Sequence, residues 1–266
     1  MTKLIAEIGW NHMGDMTLAK DMIWAAKESG CDFAKFQTWS VDRLKPGVWD
    51  TDGRREIYEK AELDLDKHLD LKNYCDEVGI GFMSSVFSIE DAKLLKQVVT
   101  DYVKIPSFES RNRELIHYCL KHFEHLIIST GTSTYDEIRS VVVNIPPERY
   151  TLLHCVSSYP CNFDIVNLPR MKHLKNLSNS IGFSDHSQGI ESSVLSLGMG
   201  VDFIEKHFTT DNDLPGRDNK FAVLPSDMKR LSDYIKISKK VMNDKGVDYQ
   251  DCELDSRENY TGRFDG

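Results

Sequence analysis

Eight short apolar runs recur along the chain, at residues 3–8, 31–37, 80–86, 102–106, 126–129, 151–156, 180–184 and 202–205. Helix signals lie between them, at residues 17–29, 65–78, from Ser88 onward, and at 112–121, 134–143, 168–175, 191–199 and 225–242. Near-continuous apolar runs are what strands look like when a sheet is covered on both faces. Eight strands alternating with helices in 266 residues predict an α/β fold closed into a (β/α)8 TIM barrel. The rival is an open doubly wound sheet, which would place a Gly-rich phosphate loop after its first strand. The loop there reads GWNHMGD, and the even spacing runs the whole length, so the closed barrel is favoured.

Local punctuation agrees. Thr17 is placed to cap the first helix and Gly30 to stop it. Ser88 with Asp91, and Thr134 with Glu137, read as capping boxes. Residues 39–64 form a long connection with a helical run near 55–63, and a connection of that length usually has a job, often as a lid. One barrel domain is expected over residues 1–245, with a polar C-terminal extension at 246–266.

A net charge of −9 argues against a nucleic-acid or anionic-membrane surface, though not against a local basic pocket. The six cysteines form no CxxC pair, which suits a reduced, cytoplasmic protein. The opening MTKLIAEIGW meets Glu7 too soon for a signal-peptide core, and no later stretch is apolar enough to span a bilayer.

In a barrel the chemistry sits at the C-terminal ends of the strands. Every predicted strand ends in polar groups: Glu7; Lys35 and Gln37; Ser84 and Ser85; Lys104, Ser107 and Glu109; Thr130 and Thr132; His154, Ser157 and Tyr159; Ser184, Asp185 and His186; Glu205 and His207. A lysine inside a buried strand must find an anion or lose its charge. Lys35 and Lys104, with serine hydroxyls nearby, suit a phosphate or a phosphate plus a carboxylate; internal ion pairs to Glu7 or Glu109 are the structural alternative. His186 and His207 follow matched strands, so both imidazoles reach one rim, a seat for a divalent metal. Local hydrogen bonding is the plainer account of each histidine. The loop after the last strand contains PGRDN, in which Asp218 could bind a hydroxyl or act as a base, or simply sit in an exposed turn. Trp10, Trp39, Trp49 and Tyr159 lie in rim loops, where they could stack on a sugar or pack on neighbouring helices.

The segments AEIGWNHMGD, AKFQTW, FMSSVF, VKIPSFESRN, IISTGTST, LLHCVSSYP, GFSDHSQGIE and FIEKHFTTD occur in this order over most of the chain. Together they resemble the N-acetylneuraminate (sialic acid) synthase family. The resemblance implies a condensation in which C3 of phosphoenolpyruvate attacks the aldehyde carbon of an open-chain amino sugar, water adds at C2, and phosphate leaves. It implies a divalent cation, Mn2+ or Mg2+, on His186 and His207. Lys35, Lys104, Ser107 and Ser184, helped by Ser84 or Ser85, would hold phosphoenolpyruvate. Gln37, Glu109, Tyr159 and Asp218 would face the sugar, with Ser157 beside them and Glu7 and Glu205 as supporting carboxylates. Family members often form dimers, so a homodimer is one expected assembly.

The sequence departs from the family pattern on the sugar side. It ends before the small antifreeze-like domain that usually follows, and the last loop reads GRDNKFAVLP where many relatives have GPDHK. An altered acceptor is therefore expected, a smaller aldose or one lacking the usual acyl group. Arg54, Arg55, Arg217 and Lys220 leave room for a phosphorylated aldose. A non-catalytic barrel subunit of a synthase complex is the remaining alternative.

Overall fold

A computed structural model of the chain describes residues 2–264. Eight parallel strands close into a barrel in chain order. They are β1 Lys3–Gly9, β2 Phe33–Thr38, β3 Gly81–Val86, β4 Tyr102–Ile105, β5 His125–Ser129, β6 Tyr150–Cys155, β7 Ile181–Asp185 and β8 Phe203–His207. The outer ring carries α1 Met16–Glu28, α3 Leu65–Val78, α4 Ile89–Leu95, α5 Arg113–His122, α6 Tyr135–Val142, α7 Met171–Leu174, α8 Glu191–Leu197 and α9 Pro225–Val241. Helix α2, Arg54–Ala61, lies inside the long connection after β2.

Strand alternation sorts the side chains into two cores. Ile5, Phe33, Met83, Ile127, Leu153 and Phe203 meet inside the barrel as one cluster. Leu4, Ala6, Ala34, Phe82, Val103 and Ile204 point outward into the larger core beneath the helices. Two residues further along each strand, the interior changes character. Ile5 gives way to Glu7, Phe33 to Lys35, Met83 to Ser85 and Tyr102 to Lys104. Ile127 gives way to Ser129, Leu153 to Cys155, Gly182 to Ser184 and Phe203 to Glu205. An apolar floor thus carries a polar layer directly above it, at the end of the barrel where the strands finish.

Some local details differ from expectation. Asp15, not Thr17, caps α1: the helix already starts at Met16, which puts Thr17 inside its first turn, and Asp15 Oδ1 accepts from both Thr17 N (2.9 Å) and Leu18 N (3.1 Å). Ser88 caps α4, but the Asp91 carboxylate turns to Phe87 N and to Arg43 of the β2 connection instead of completing a box. The Thr134–Glu137 box forms as expected. Cys31 precedes β2, where Asp32 uses its side chain to accept from Leu4 N (2.7 Å). β8 continues through His207, beyond residue 205.

After α9, residues 243–264 are exposed throughout and include a last helix, α10 Leu254–Asn259. Among the described residues no helix is long and apolar enough to cross a membrane.

Candidate active site

A cavity of about 290 Å³ opens at the C-terminal ends of the strands, with the polar layer as its floor. Lys35 and Lys104 stand in that floor with Glu7 and Glu205, all four at most 5% exposed. Lys35 Nζ lies 2.5 Å from Glu7 Oε2 and 3.6 Å from Glu205 Oε2, and it donates to Ser85 Oγ at 2.9 Å. Lys104 Nζ lies 3.4 Å from Glu205 Oε1, which also accepts from Ser184 Oγ at 2.8 Å. Gln37 Nε2 donates to Glu7 Oε1 at 2.7 Å. A register shift in β1 between Glu7 and Gly9 opens room for that bond, and Gly9 takes a φ of +56° there.

The charges are unequally held. Burial alone would lift the Glu205 carboxyl, but Lys104, Lys35 and the Ser184 hydroxyl bring it down to about 2. Burial lifts Glu7 above its ordinary range despite Lys35, and the Glu205 charge adds to the lift. Burial would lower Lys35, but Glu205 and Glu7 together raise it. Lys104 faces Glu205 with less help, and burial lowers it. Glu7 is therefore the member of the layer best placed to hold a proton. With Glu7 protonated, two lysines face one carboxylate and the floor is net cationic.

The two histidines rise on one side of this floor, with ring centroids 5.5 Å apart. His186 Nδ1 contacts the Val156 carbonyl oxygen at 2.8 Å. A carbonyl only accepts, so Nδ1 carries the hydrogen and Nε2 is left as the ring's donor to a metal. Burial would lower this ring, but Cys155 beside it and the Val156 carbonyl raise it above its ordinary value, so a cation at Nε2 competes with a proton. His207 Nδ1 is buried without a hydrogen-bond partner, and Asp218 Oδ2 is 3.7 Å away. Burial, with His186 alongside, pushes His207 well below its ordinary value, so its ring is neutral. Two imidazoles side by side, one of them with an orphaned nitrogen, fit a divalent cation as donors. Among the described residues no set of three His, Cys, Asp or Glu side chains is arranged around one such point, so water and substrate would complete its shell. Tyr159 packs against His186 with ring centroids 4.2 Å apart and planes tilted by 39°, and Phe221 packs on His207 at 5.1 Å.

Most residues expected at the site meet in this wall: Glu7, Lys35, Gln37, Ser85, Lys104 and Ser107, and on the other side Tyr159, Ser184, His186, Glu205, His207 and Asp218. Three do not. Ser84 has the wrong strand parity and bonds Thr38 Oγ1 at 2.7 Å on the helix side. Glu109 sits in the turn after β4, where it accepts from Asn112 Nδ2 at 2.8 Å beside the start of α5. Ser157 lies past β6, with Oγ 3.9 Å from Cys155 Sγ, and is outside the wall. Ser129 and Cys155 are in the wall and were not singled out, though counting by two from Ile127 and Leu153 finds them. Cys155 Sγ accepts from Ser107 Oγ at 3.4 Å. Above the floor, Arg54, Ile57 and Tyr58 enter the wall from one face of α2, the spacing of a helical stripe. Tyr58 is wedged between Trp10 and Trp39, with ring centroids 5.8 and 5.7 Å away. Burial and the Glu7 charge raise Asp218, across the mouth, to about 6.

Comparison with known proteins places this geometry. The chain is 35% identical over 273 residues to N,N'-diacetyllegionaminic acid synthase of Legionella pneumophila, covering 96% of this chain and 77% of the relative. It is 30% identical to pseudaminic acid synthase of Campylobacter jejuni over 269 residues, covering 96% of this chain and 78% of the relative. The crystal structure of the N-acetylneuraminic acid (sialic acid) synthetase of Leptospira borgpetersenii superposes with a TM-score of 0.86 at 30% identity, covering 99% of this chain and 93% of the other. Residues 22–246 match the model of the NeuB family. With a barrel, a family match and relatives that agree over nearly the whole sequence, the chain belongs to the NeuB family.

Proposed function

We propose that this chain joins phosphoenolpyruvate to the aldehyde carbon of an open-chain amino sugar, giving a nonulosonic acid and inorganic phosphate. The observation that carries this reading is the polar layer, in which two buried lysines stand beside two histidines at the open end of the barrel. Its relatives are named as synthases of nonulosonic acids.

Lys35 and Lys104 offset the phosphate and carboxylate charges of phosphoenolpyruvate, with Ser85, Ser107 and Ser184 as hydroxyl donors. His186 and His207 would hold Mn2+ or Mg2+, which when bound supplies Lewis-acid polarisation of the aldehyde oxygen and a place for water. Glu7, whose carboxyl burial lifts above its ordinary range, lies within the cavity as the carboxyl placed to pass a proton to the aldehyde oxygen as it becomes a hydroxyl. Gln37, which bonds Glu7 Oε1, fixes that carboxyl's rotation. Tyr159 and Asp218 line the acceptor side, and Trp10 and Tyr58 close the mouth against water. Free thiols throughout the described residues support a cytoplasmic location. A homodimer is one assembly to be tested, by light scattering.

The test is phosphate release from phosphoenolpyruvate with Mn2+ and a panel of free and phosphorylated aldoses. Release is expected with an N-acylated amino sugar, and no release with any aldose would overturn the reading. Arg54 and Arg217 in the upper wall favour a second possibility for the acceptor, an anionic group at the end remote from the aldehyde. Arg54→Ala should raise KM for the aldose about tenfold and leave KM for phosphoenolpyruvate unmoved, since one charge-assisted hydrogen bond is worth about 1.5–3 kcal/mol. A larger loss with the phosphorylated sugar would assign it as the acceptor.

Gly131 gives a test from the opposite wall. Its N–H donates to Ser107 Oγ at 3.1 Å. A Cβ there would come within 2.7 Å of Ser107 Oγ and 2.4 Å of Ser157 Oγ. Gly131→Ala should displace Ser107 and raise KM for phosphoenolpyruvate by about tenfold, the cost of one hydrogen bond to a charged group. An unchanged KM would remove Ser107 from the anion site.

A further inference from the structure

Directly behind the two histidines, on the outer face of β7 and β8, Asp185 and Lys206 form a buried ion pair. Asp185 Oδ2 lies 3.0 Å from Lys206 Nζ, and the two side chains are 0% and 2% exposed. Neither lines the cavity. Strand alternation turns them outward, while their neighbours Ser184 and Glu205 turn inward. The strand register pairs Asp185 with Lys206, so the ion pair spans the seam from which both histidines leave.

The pair is tied into everything around it. Asp185 Oδ1 accepts from Ser187 N at 2.8 Å and from Ser187 Oγ at 2.7 Å. Its other oxygen accepts from Ser193 Oγ of α8 at 2.6 Å. Lys206 Nζ donates to the Ser187 carbonyl at 2.5 Å. Ser187 is thus gripped at its N–H and its C=O by one partner from each strand, and His186 is the residue between Asp185 and Ser187. The grip extends further: Cys161 N donates to the His186 carbonyl at 2.9 Å, which seats the segment carrying Tyr159 on the histidine ring.

Stability alone is a poor account of this arrangement. A buried ion pair can often be replaced by apolar side chains of similar volume without loss of stability. A fully satisfied polar network instead specifies one geometry. Here the geometry specified is that of the turn holding His186 and of the strand end holding His207. We infer that Asp185 and Lys206 are positioning residues that set the approach of His186 to His207, and with it the affinity of the two imidazoles for a divalent cation. The inference rests on reading those imidazoles as the metal site.

The experiment compares wild type with Asp185→Asn, Lys206→Met, Ser193→Ala and the apolar double variant Asp185→Leu/Lys206→Met. For each, Mn2+ binding is read by electron paramagnetic resonance, Tm by calorimetry, and kcat and KM for phosphoenolpyruvate by phosphate release. The single charge variants should weaken Mn2+ binding about 10–100-fold, the usual cost of losing an outer partner of a metal site, and lower kcat with KM unmoved. Ser193→Ala, which removes one of several donors, should weaken binding by a smaller factor in the same direction. Lys206→Arg, which keeps the charge and the donors, should recover most of the affinity. The double variant separates positioning from folding: wild-type Tm with weakened Mn2+ binding supports the inference, and wild-type Tm with wild-type binding overturns it. If the charge variants do not fold, Ser193→Ala decides in the same way. If wild type itself binds no Mn2+, the metal reading fails and the inference falls with it, whereas Mn2+ binding by wild type that the variants share in full overturns the inference alone.

Discussion

His207→Ala is expected to lower kcat by about three orders of magnitude, or about 4 kcal/mol of transition-state stabilisation, while the barrel stays folded. The size follows from what a Lewis acid held by the two histidines would contribute to an aldehyde attack, several kcal/mol. Retention of the fold follows from the state of the ring. His207 Nδ1 is buried without a partner, so its removal leaves no donor or acceptor newly unpaired at that atom. What is lost is packing against Phe221 and Tyr159, whose rings lie 5.1 and 5.9 Å away. His186→Ala should behave similarly in activity. It frees the Val156 carbonyl, however, and should also lower Tm by a few degrees, the cost of about one hydrogen bond. Steady-state rates at saturating Mn2+ and a binding isotherm for Mn2+ check both statements. Wild-type turnover in the doubly substituted protein would take the histidines out of the mechanism.

The barrel was legible because its evidence is local and repeated. Each strand is an apolar run, each crossover carries its own caps, and closure follows from counting. The site was legible where chemistry and strand ends coincide, as at Lys35, Lys104, His186 and His207. It was less legible where a choice hangs on one residue of register. Ser84 and Ser85 are identical in type and adjacent, yet one faces Thr38 and the helices and the other accepts from Lys35. The period of two, run from Met83, would have separated them. It would also have found Ser129 and Cys155, whose neighbours gave no chemical hint. Glu109 misleads for a different reason: a turn beyond the strand redirects it to Asn112, and turns do not carry strand parity. The contribution of α2 follows from the docking of a long connection, fixed by Tyr58 between Trp10 and Trp39 and by Arg43 on Asp91, contacts too distant in sequence to be read from either segment. The pairing of Asp185 with Lys206 is hidden for a similar reason, since each reads as one more polar strand-end residue until the register brings them together.

Whether the buried lysines hold substrate or only each other's carboxylates is decided by Lys35→Met. Lys35 lies 2.5 Å from Glu7 and 3.6 Å from Glu205, so its removal leaves Glu7 without its cation and Glu205 with Lys104 alone. Breaking a buried pair by removing one partner costs about 3–5 kcal/mol, and part of that cost is met by Glu7 taking up a proton, the direction in which it already leans. Lys35→Met should therefore unfold at a clearly lower urea concentration and lose at least about 100-fold in kcat/KM for phosphoenolpyruvate, the loss of one charge-assisted contact to a buried anion. Adding Glu7→Gln restores the balance of one lysine to one carboxylate, and the two substitutions are in contact, so their stability effects should not add. Most of the lost stability should return. Activity should not, because the cation that meets the substrate anion is still absent and the Glu7 carboxyl has gone too. If activity returned along with stability in the double variant, Lys35 would be a structural ion-pair residue, and the anion site would have to be built from Lys104 and the serines alone.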